Sequence, residues 1–207
     1  MSATDDARYM DLALALARAQ QGRTAPNPAV GCVLVKDGRI LSTGSTQDGG
    51  RPHAERVALD AAGSAARGAT AYVTLEPCAH HGQTPPCADA LITAGIERVV
   101  VACRDRFPAV AGRGIAMLEE SGIRVETGVR ANDALMLYDG FFMRVECGRP
   151  LIRADGRRRG FDAELTATTL ETAKAEILAH GAAGRNRVRI APGHPLAGQD
   201  WTAVFVD

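Results

Sequence analysis

The sequence predicts an α/β fold in three layers, with a central mixed sheet of about five strands covered by helices on both faces. Three observations predict it. Short apolar runs such as "AYVTL" and "RVVVA" alternate with segments of helical periodicity, as in a mostly parallel sheet buried between helices. An Asp-Gly turn between two strand-like stretches opens that sheet with an antiparallel hairpin. The 207 residues, 46% apolar, suffice for one domain with a proper core, or one domain plus a small appendage.

The elements follow in order. Asp5 to Ala19 is an amphipathic helix: Tyr9, Leu12, Ala13 and Leu16 fall on one face, and Gly22 follows as a stop. "TAPNPAVG" is a turn-rich loop. Val30 to Val35 and Arg39 to Thr43 flank "KDG" as a hairpin. His53 to Ala62 is helical, Ala71 to Leu75 a strand, and Pro86 to Ala94 a helix with proline in its first turn that ends at Gly95. Arg98 to Ala102 is a buried strand, Gly114 to Glu120 a helix, Arg124 to Thr127 a strand and Ala131 to Val145 a long helix. After Gly148 the texture turns polar and Gly-rich. There "TLETAKAEILAHG" reads as one helix, and "RNRVRIAPG" and "WTAVFV" as short strands. Residues 1–147 therefore form the main domain and 148–207 an appendage, too short and too weakly patterned for a second full domain.

Charge excludes some functions. Twenty-four basic and 24 acidic side chains cancel, which argues against a broad cationic face for nucleic acid. With 4% aromatic residues there is little to stack bases on. No apolar run approaches the roughly 20 residues of a spanning helix, and the acidic N-terminus is unlike a signal peptide. The expected setting is cytoplasmic, with no membrane or nucleic-acid partner. Five cysteines, Cys32, Cys78, Cys87, Cys103 and Cys147, lack the close-set pattern of a disulfide scaffold.

Only Cys78 and Cys87 have chemical company, in "TLEPCAHHGQTPPCADAL", with His53 and Glu55 upstream in "PHAERVAL". A catalytic zinc takes three protein ligands and keeps one open position. His53, Cys78 and Cys87 supply that set, one ion per chain. Cys87 stands at a helix start, where unpaired backbone N–H groups and the helix dipole favour the thiolate. Glu55, two residues past His53, does not share its direction. It is placed instead to take a proton from a water whose pKa zinc lowers to about 7, and to return it to a leaving nitrogen. Zinc deaminases divide the labour this way under the signature H-x-E…P-C-x-x-C. A closed structural zinc site is the competing reading, and His80 is its best candidate fourth ligand.

With eight residues between the cysteines where most cytidine-type deaminases have two, this stretch closely resembles the riboflavin-pathway diaminohydroxyphosphoribosylaminopyrimidine deaminase family. "TAPNPAVGCVLVKDG" and "VAGRGIAMLEESGI" fit the same family, and the resemblance covers about residues 5 to 150. It implies a cytidine deaminase-like fold and hydrolytic release of ammonia from an aminopyrimidine. It implies substrate contacts at Asn27, Thr46, His80, Gln83, Thr84, Asp105 and Phe107. Asn27, His80 and Thr84 keep family identities. Thr46 stands where a histidine is usual and Gln83 where lysine or arginine is usual, while "DRFP", Asp105 to Pro108, replaces Asp-Pro-Asn-Pro. Arg51, Arg104 and Arg106 are candidate substitutes for the lost charge. Bifunctional members continue into a nicotinamide-dependent reductase; "LIRADGRRRGFDAEL" carries no dinucleotide fingerprint, so no NADPH is expected. The resemblance implies a homodimer or homotetramer, with the helix from Ala131 and the tail as a contact surface. Two alternatives stay open: a paralogue acting on another aminated heterocycle, and a non-catalytic zinc scaffold.

Overall fold

A computed structural model describes residues 3–80, 85–106 and 111–205. Helix α1, Ala3–Gln20, precedes a hairpin of β1, Gly31–Lys36, and β2, Arg39–Ser45. Lys36 faces Arg39 across Asp37 and Gly38, whose φ of 52° and 72° give the tight turn that matches strand twist. Helix α2, Ala54–Ala62, leads to β3, Thr70–Leu75; α3, Cys87–Thr93, to β4, Arg98–Cys103; and α4, Arg113–Glu120, to β5, Arg124–Thr127. Helix α5, Ala131–Cys147, closes this part, stopped by Gly148 at φ 70°.

The five strands lie in the order β2-β1-β3-β4-β5. β1 is antiparallel to both neighbours, while β3, β4 and β5 run parallel, so the sheet is evenly mixed rather than mostly parallel. Every helical crossover still joins parallel strands; the departure arises because β1 lies between β2 and β3, which α2 connects. Strands β3 and β4 are buried along their whole length, as near-continuous apolar runs require, whereas the edge strand β5 is largely exposed. Helix α1 packs against β1 and β3, with α5 beside it; α2 packs against β1 and β2 and touches α3, which touches α4. A Cβ on Gly31 would overlap the Ala13 carbonyl of α1, and one on Gly44 the Ala54 carbonyl of α2, so glycine lets both helices approach closely.

The segment after Gly148 has a core of its own. Strands β6, Leu151–Ala154, β8, Arg187–Ile190, and β7, Ala163–Glu164, form a parallel sheet in the order β6-β8-β7. Helix α6, Leu170–Ala182, supplies Ala173 and Ile177 to a cluster with Ile152, Leu165, Val188, Ile190 and Trp201. "WTAVFV" is not a strand. Asp200 Oδ1 accepts from the N–H groups of Thr202 at 2.9 Å and Ala203 at 3.3 Å, and this cap turns the apolar run into a short helix α7, Trp201–Val204. Among the described residues no helix is long and apolar enough to cross a membrane.

Candidate active site

The cleft lies beyond the carboxyl ends of β3 and β4, where open α/β sheets place their ligands. β3 ends at Leu75, and Glu76 and Pro77 carry the chain to Cys78. His53 is the extended residue capping the start of α2, with φ −70° and ψ 158°, so its ring hangs off the helix rather than along it. Pro86 is likewise extended and lies just outside α3, so Cys87 is the first helical residue. The Cys87 N–H donates to Cys78 Sγ at 3.3 Å.

These three segments converge. His53 Nδ1 lies 3.3 Å from Cys87 Sγ and 3.7 Å from Cys78 Sγ, and all three donor atoms fall within 4.8 Å of one another. Bond lengths of about 2.3 Å to sulfur and 2.0 Å to nitrogen give tetrahedral edges of about 3.6 Å, so this donor set fits zinc. The neighbouring Cys87 thiol holds Cys78 down to about 4, with help from His53, while Cys78 pushes Cys87 far up. The Cys78 sulfur also raises the His53 pKa, against burial. Among the described residues no other histidine, cysteine or carboxylate joins this group, and His80 sits exposed on the cleft.

Glu55, in the first turn of α2, is buried and lines the same cleft. Burial, then the Cys78 charge, pushes its carboxyl up to about 7, in the range for a proton shuttle. The cleft encloses about 290 Å³ and brings Asn27, Thr46, His80 and Asp105 together with His53, Glu55 and Cys78. Asn27 Nδ2 donates to Gly50 O at 2.8 Å and approaches His53 Nε2 at 3.4 Å. Thr46 is buried, and its Oγ1 accepts from the Val30 N–H at 2.9 Å. Gln83, Thr84 and Phe107 lie outside the described residues. Arg51 lines the cleft, Arg104 is exposed, and Arg106 pairs with Glu146 at 3.8 Å.

Two groups on this wall escape a reading of the motif. Glu76 is buried and accepts from the N–H groups of Asp105 at 3.2 Å, Gly112 at 3.1 Å, Gly114 at 3.1 Å and, at the limit of a hydrogen bond, Ile115 at 3.5 Å. It thereby ties the residue before Pro77-Cys78 to the start of α4. The available signal was an acid placed directly after an apolar strand. Phe141, Arg144 and Val145 of α5 also line the cleft, and their i, i+3, i+4 spacing is that of an ordinary packed helix face.

Residues 3–103 match the cytidine and deoxycytidylate deaminase zinc-binding region. The chain is 47% identical over 146 residues to the diaminohydroxyphosphoribosylamino-pyrimidine deaminase of Buchnera aphidicola from Acyrthosiphon pisum, covering 70% of this chain and 99% of that one. The chain belongs to that deaminase family. It is also 53% identical over 148 residues to the riboflavin biosynthesis protein RibD of Escherichia coli, matching 72% of this chain but spanning only 40% of that one. Among solved structures, the diaminohydroxyphosphoribosylaminopyrimidine deaminase/5-amino-6-(5-phosphoribosylamino)uracil reductase of Thermotoga maritima superposes with a TM-score of 0.81 at 26% identity, covering 92% of this chain and 82% of that one. A deaminase family built on zinc accounts for the His53, Cys78 and Cys87 cluster and for the cytidine deaminase-like sheet. The Thermotoga superposition covers 92% of this chain, against 70–72% for these two sequence matches.

Proposed function

We propose that this chain is a zinc-dependent hydrolytic deaminase that releases ammonia from an aminopyrimidine bearing a ribosyl phosphate. The observation that carries the reading is a buried Glu55 beside a convergent His53, Cys78 and Cys87, in a cleft large enough for a small heterocycle. His53, Cys78 and Cys87 hold one zinc ion. When bound there, zinc supplies the Lewis acidity that lets a water ionise near neutral pH.

The chain's own groups do the rest. Glu55 accepts one proton as the water oxygen bonds to the amine-bearing ring carbon, then delivers it to the amine nitrogen; the C–N bond breaks, ammonia leaves, and the second water proton passes from oxygen to the ring nitrogen, so that a ring carbonyl replaces the amine. A carboxyl held near 7 by burial suits both halves of that exchange. Asn27 spends its amide N–H on Gly50 and turns its Oδ1 to the substrate, accepting from the pyrimidine edge. His80, Asp105, Gln83, Thr84 and Phe107 complete the contacts, while Thr46 shapes the wall through the Val30 backbone. The reading includes no nicotinamide cofactor, a C-terminal appendage after residue 147, and assembly into a dimer or tetramer, for which Met136 on α5, 71% exposed, offers an apolar contact.

Zinc analysis combined with ammonia release from a panel of aminopyrimidines and aminopurines, phosphorylated and not, tests the assignment. Glu55→Gln is expected to retain one zinc per chain and to lower kcat by about 10²–10⁴-fold. Turnover that survives this change overturns the role of Glu55.

A further inference from the structure

Arg144 lines the same cleft as His53, Glu55 and Cys78. Its Nε donates to Asn186 Oδ1 at 2.7 Å, its Nη2 donates to Pro26 O at 2.8 Å, and its guanidinium lies over the Phe141 ring at 5.6 Å. Each of these partners is neutral. Among the described residues no carboxylate forms an ion pair with it, whereas Arg106 pairs with Glu146, and Arg153 and Arg187 both pair with Asp139. Burial draws the Arg144 pKa down, with the Asp162 charge opposing it. Partly buried cations are ordinarily neutralised by a partner, and an arginine oriented by neutral acceptors keeps its charge and remaining N–H groups for an incoming anion.

The orientation comes from outside the deaminase unit. Asn186 lies just before β8 and is itself buried; its N–H and that of Arg187 donate to Asp162 Oδ2 at 2.7 and 2.8 Å. Asn186 Nδ2 also reaches Asn27 O at 3.4 Å. One tail residue thus touches both the arginine and the loop that carries Asn27.

We propose that Arg144 is the contact for the anionic group of the substrate, the phosphate of a phosphoribosyl-bearing aminopyrimidine, and that Asn186 is the positioning residue that aims it. The inference rests on the deaminase reading above, and the Buchnera relative is named for a phosphoribosyl-bearing pyrimidine. It gives the C-terminal segment a part in specificity.

The test uses the full chain with zinc and compares kcat/KM for the phosphoribosylamino-pyrimidine with that for its dephosphorylated riboside. Arg144→Gln is expected to lower the phosphorylated-to-dephosphorylated selectivity by about 10–100-fold, the value of one charge-assisted contact, through KM rather than kcat. Arg144→Lys recovers part of it, and Asn186→Ala lowers it in the same direction by less. Equal losses on both substrates, or none, overturn the proposal in favour of a purely structural arginine.

A second arm needs no turnover: ribose 5-phosphate is expected to raise the Tm of the wild-type chain beyond ribose, and not that of Arg144→Gln. A wild-type chain that ribose 5-phosphate stabilises no more than ribose overturns the anion contact. Stabilisation through Arg144 without deamination of any aminopyrimidine overturns only the reading beneath it.

Discussion

At the scale of single residues, the candidate metal ligands and the proposed proton carrier were legible because chemistry restricts such groups to few residue types at characteristic spacings. Thr46 shows what spacing leaves undetermined. Its position beside the pocket follows from the family pattern, but its hydroxyl is committed to the Val30 backbone, a partnership between β2's end and β1's start that no local pattern displays. Glu76 was invisible as a functional residue for the same reason: its four N–H partners lie 29 to 39 residues away. A buried carboxylate with several backbone donors is costly to remove, since the donors are left unpaired in a low-dielectric site. Glu76→Ala is expected to cost about 3 kcal/mol in denaturant unfolding. It is also expected to accelerate hydrogen exchange at the Gly112 and Gly114 amides. Unchanged exchange there would show that other groups hold the loop.

At the scale of elements, helix α1 is pinned to the sheet by charge as well as by apolar packing. Asp6 accepts from both terminal guanidinium nitrogens of Arg98 on β4, at 2.9 and 2.7 Å, and from the Tyr72 hydroxyl of β3 at 2.6 Å; Arg98 also pairs with Glu126 of β5 at 2.7 Å. Both partners are largely buried, with side-chain exposures of 6% and 11%. Without the Asp6 charge, Arg98 keeps only the half-exposed Glu126 as an ionic partner, so Asp6→Asn is expected to destabilise by about 1–3 kcal/mol. The Arg98 hydrogen bonds hold the Asp6 carboxyl below its ordinary value. Its stabilisation is therefore complete above the unfolded pKa of about 3.9 and is lost as pH falls through the lower folded value. Unfolding midpoints measured from pH 5 downward are expected to decline more steeply in the wild type than in Asp6→Asn; parallel curves would remove the pair from the acid response. The sequence displayed these elements by periodicity, yet gave no sign that β1 would insert between β2 and β3, because strand order depends on pairing partners and not on the strand's own pattern.

At the scale of the whole molecule, two cores meet across α5. Asp139 on α5 pairs with Arg187 of β8 and with Arg153 of β6, and Gly140 is glycine where a Cβ would crowd the Asn186 carbonyl. The second core, small and built from two- to four-residue strands, depends on that junction more than the five-stranded sheet does. Asp139→Ala is expected to speed hydrogen exchange in Arg187–Ile190 while leaving Gly31–Lys36 protected. Equal acceleration in both strands would mean that the two cores unfold as one. The tail's weak patterning concealed this sheet: strands so short show no periodicity, and their parallel pairing joins residues 25 to 36 apart in the chain.

The sequence alone determined the donor chemistry, the alternation of strands and helices, and the family, because ligand identity, hydrophobic period and turn residues are written locally. Only the tertiary structure decided that the three donors converge beside a buried glutamate, that the tail builds its own sheet, and that an arginine from α5 with no carboxylate partner among the described residues lines the same cleft. Those facts depend on which distant surfaces come into contact, and burial, charge compensation and orientation exist only once they do.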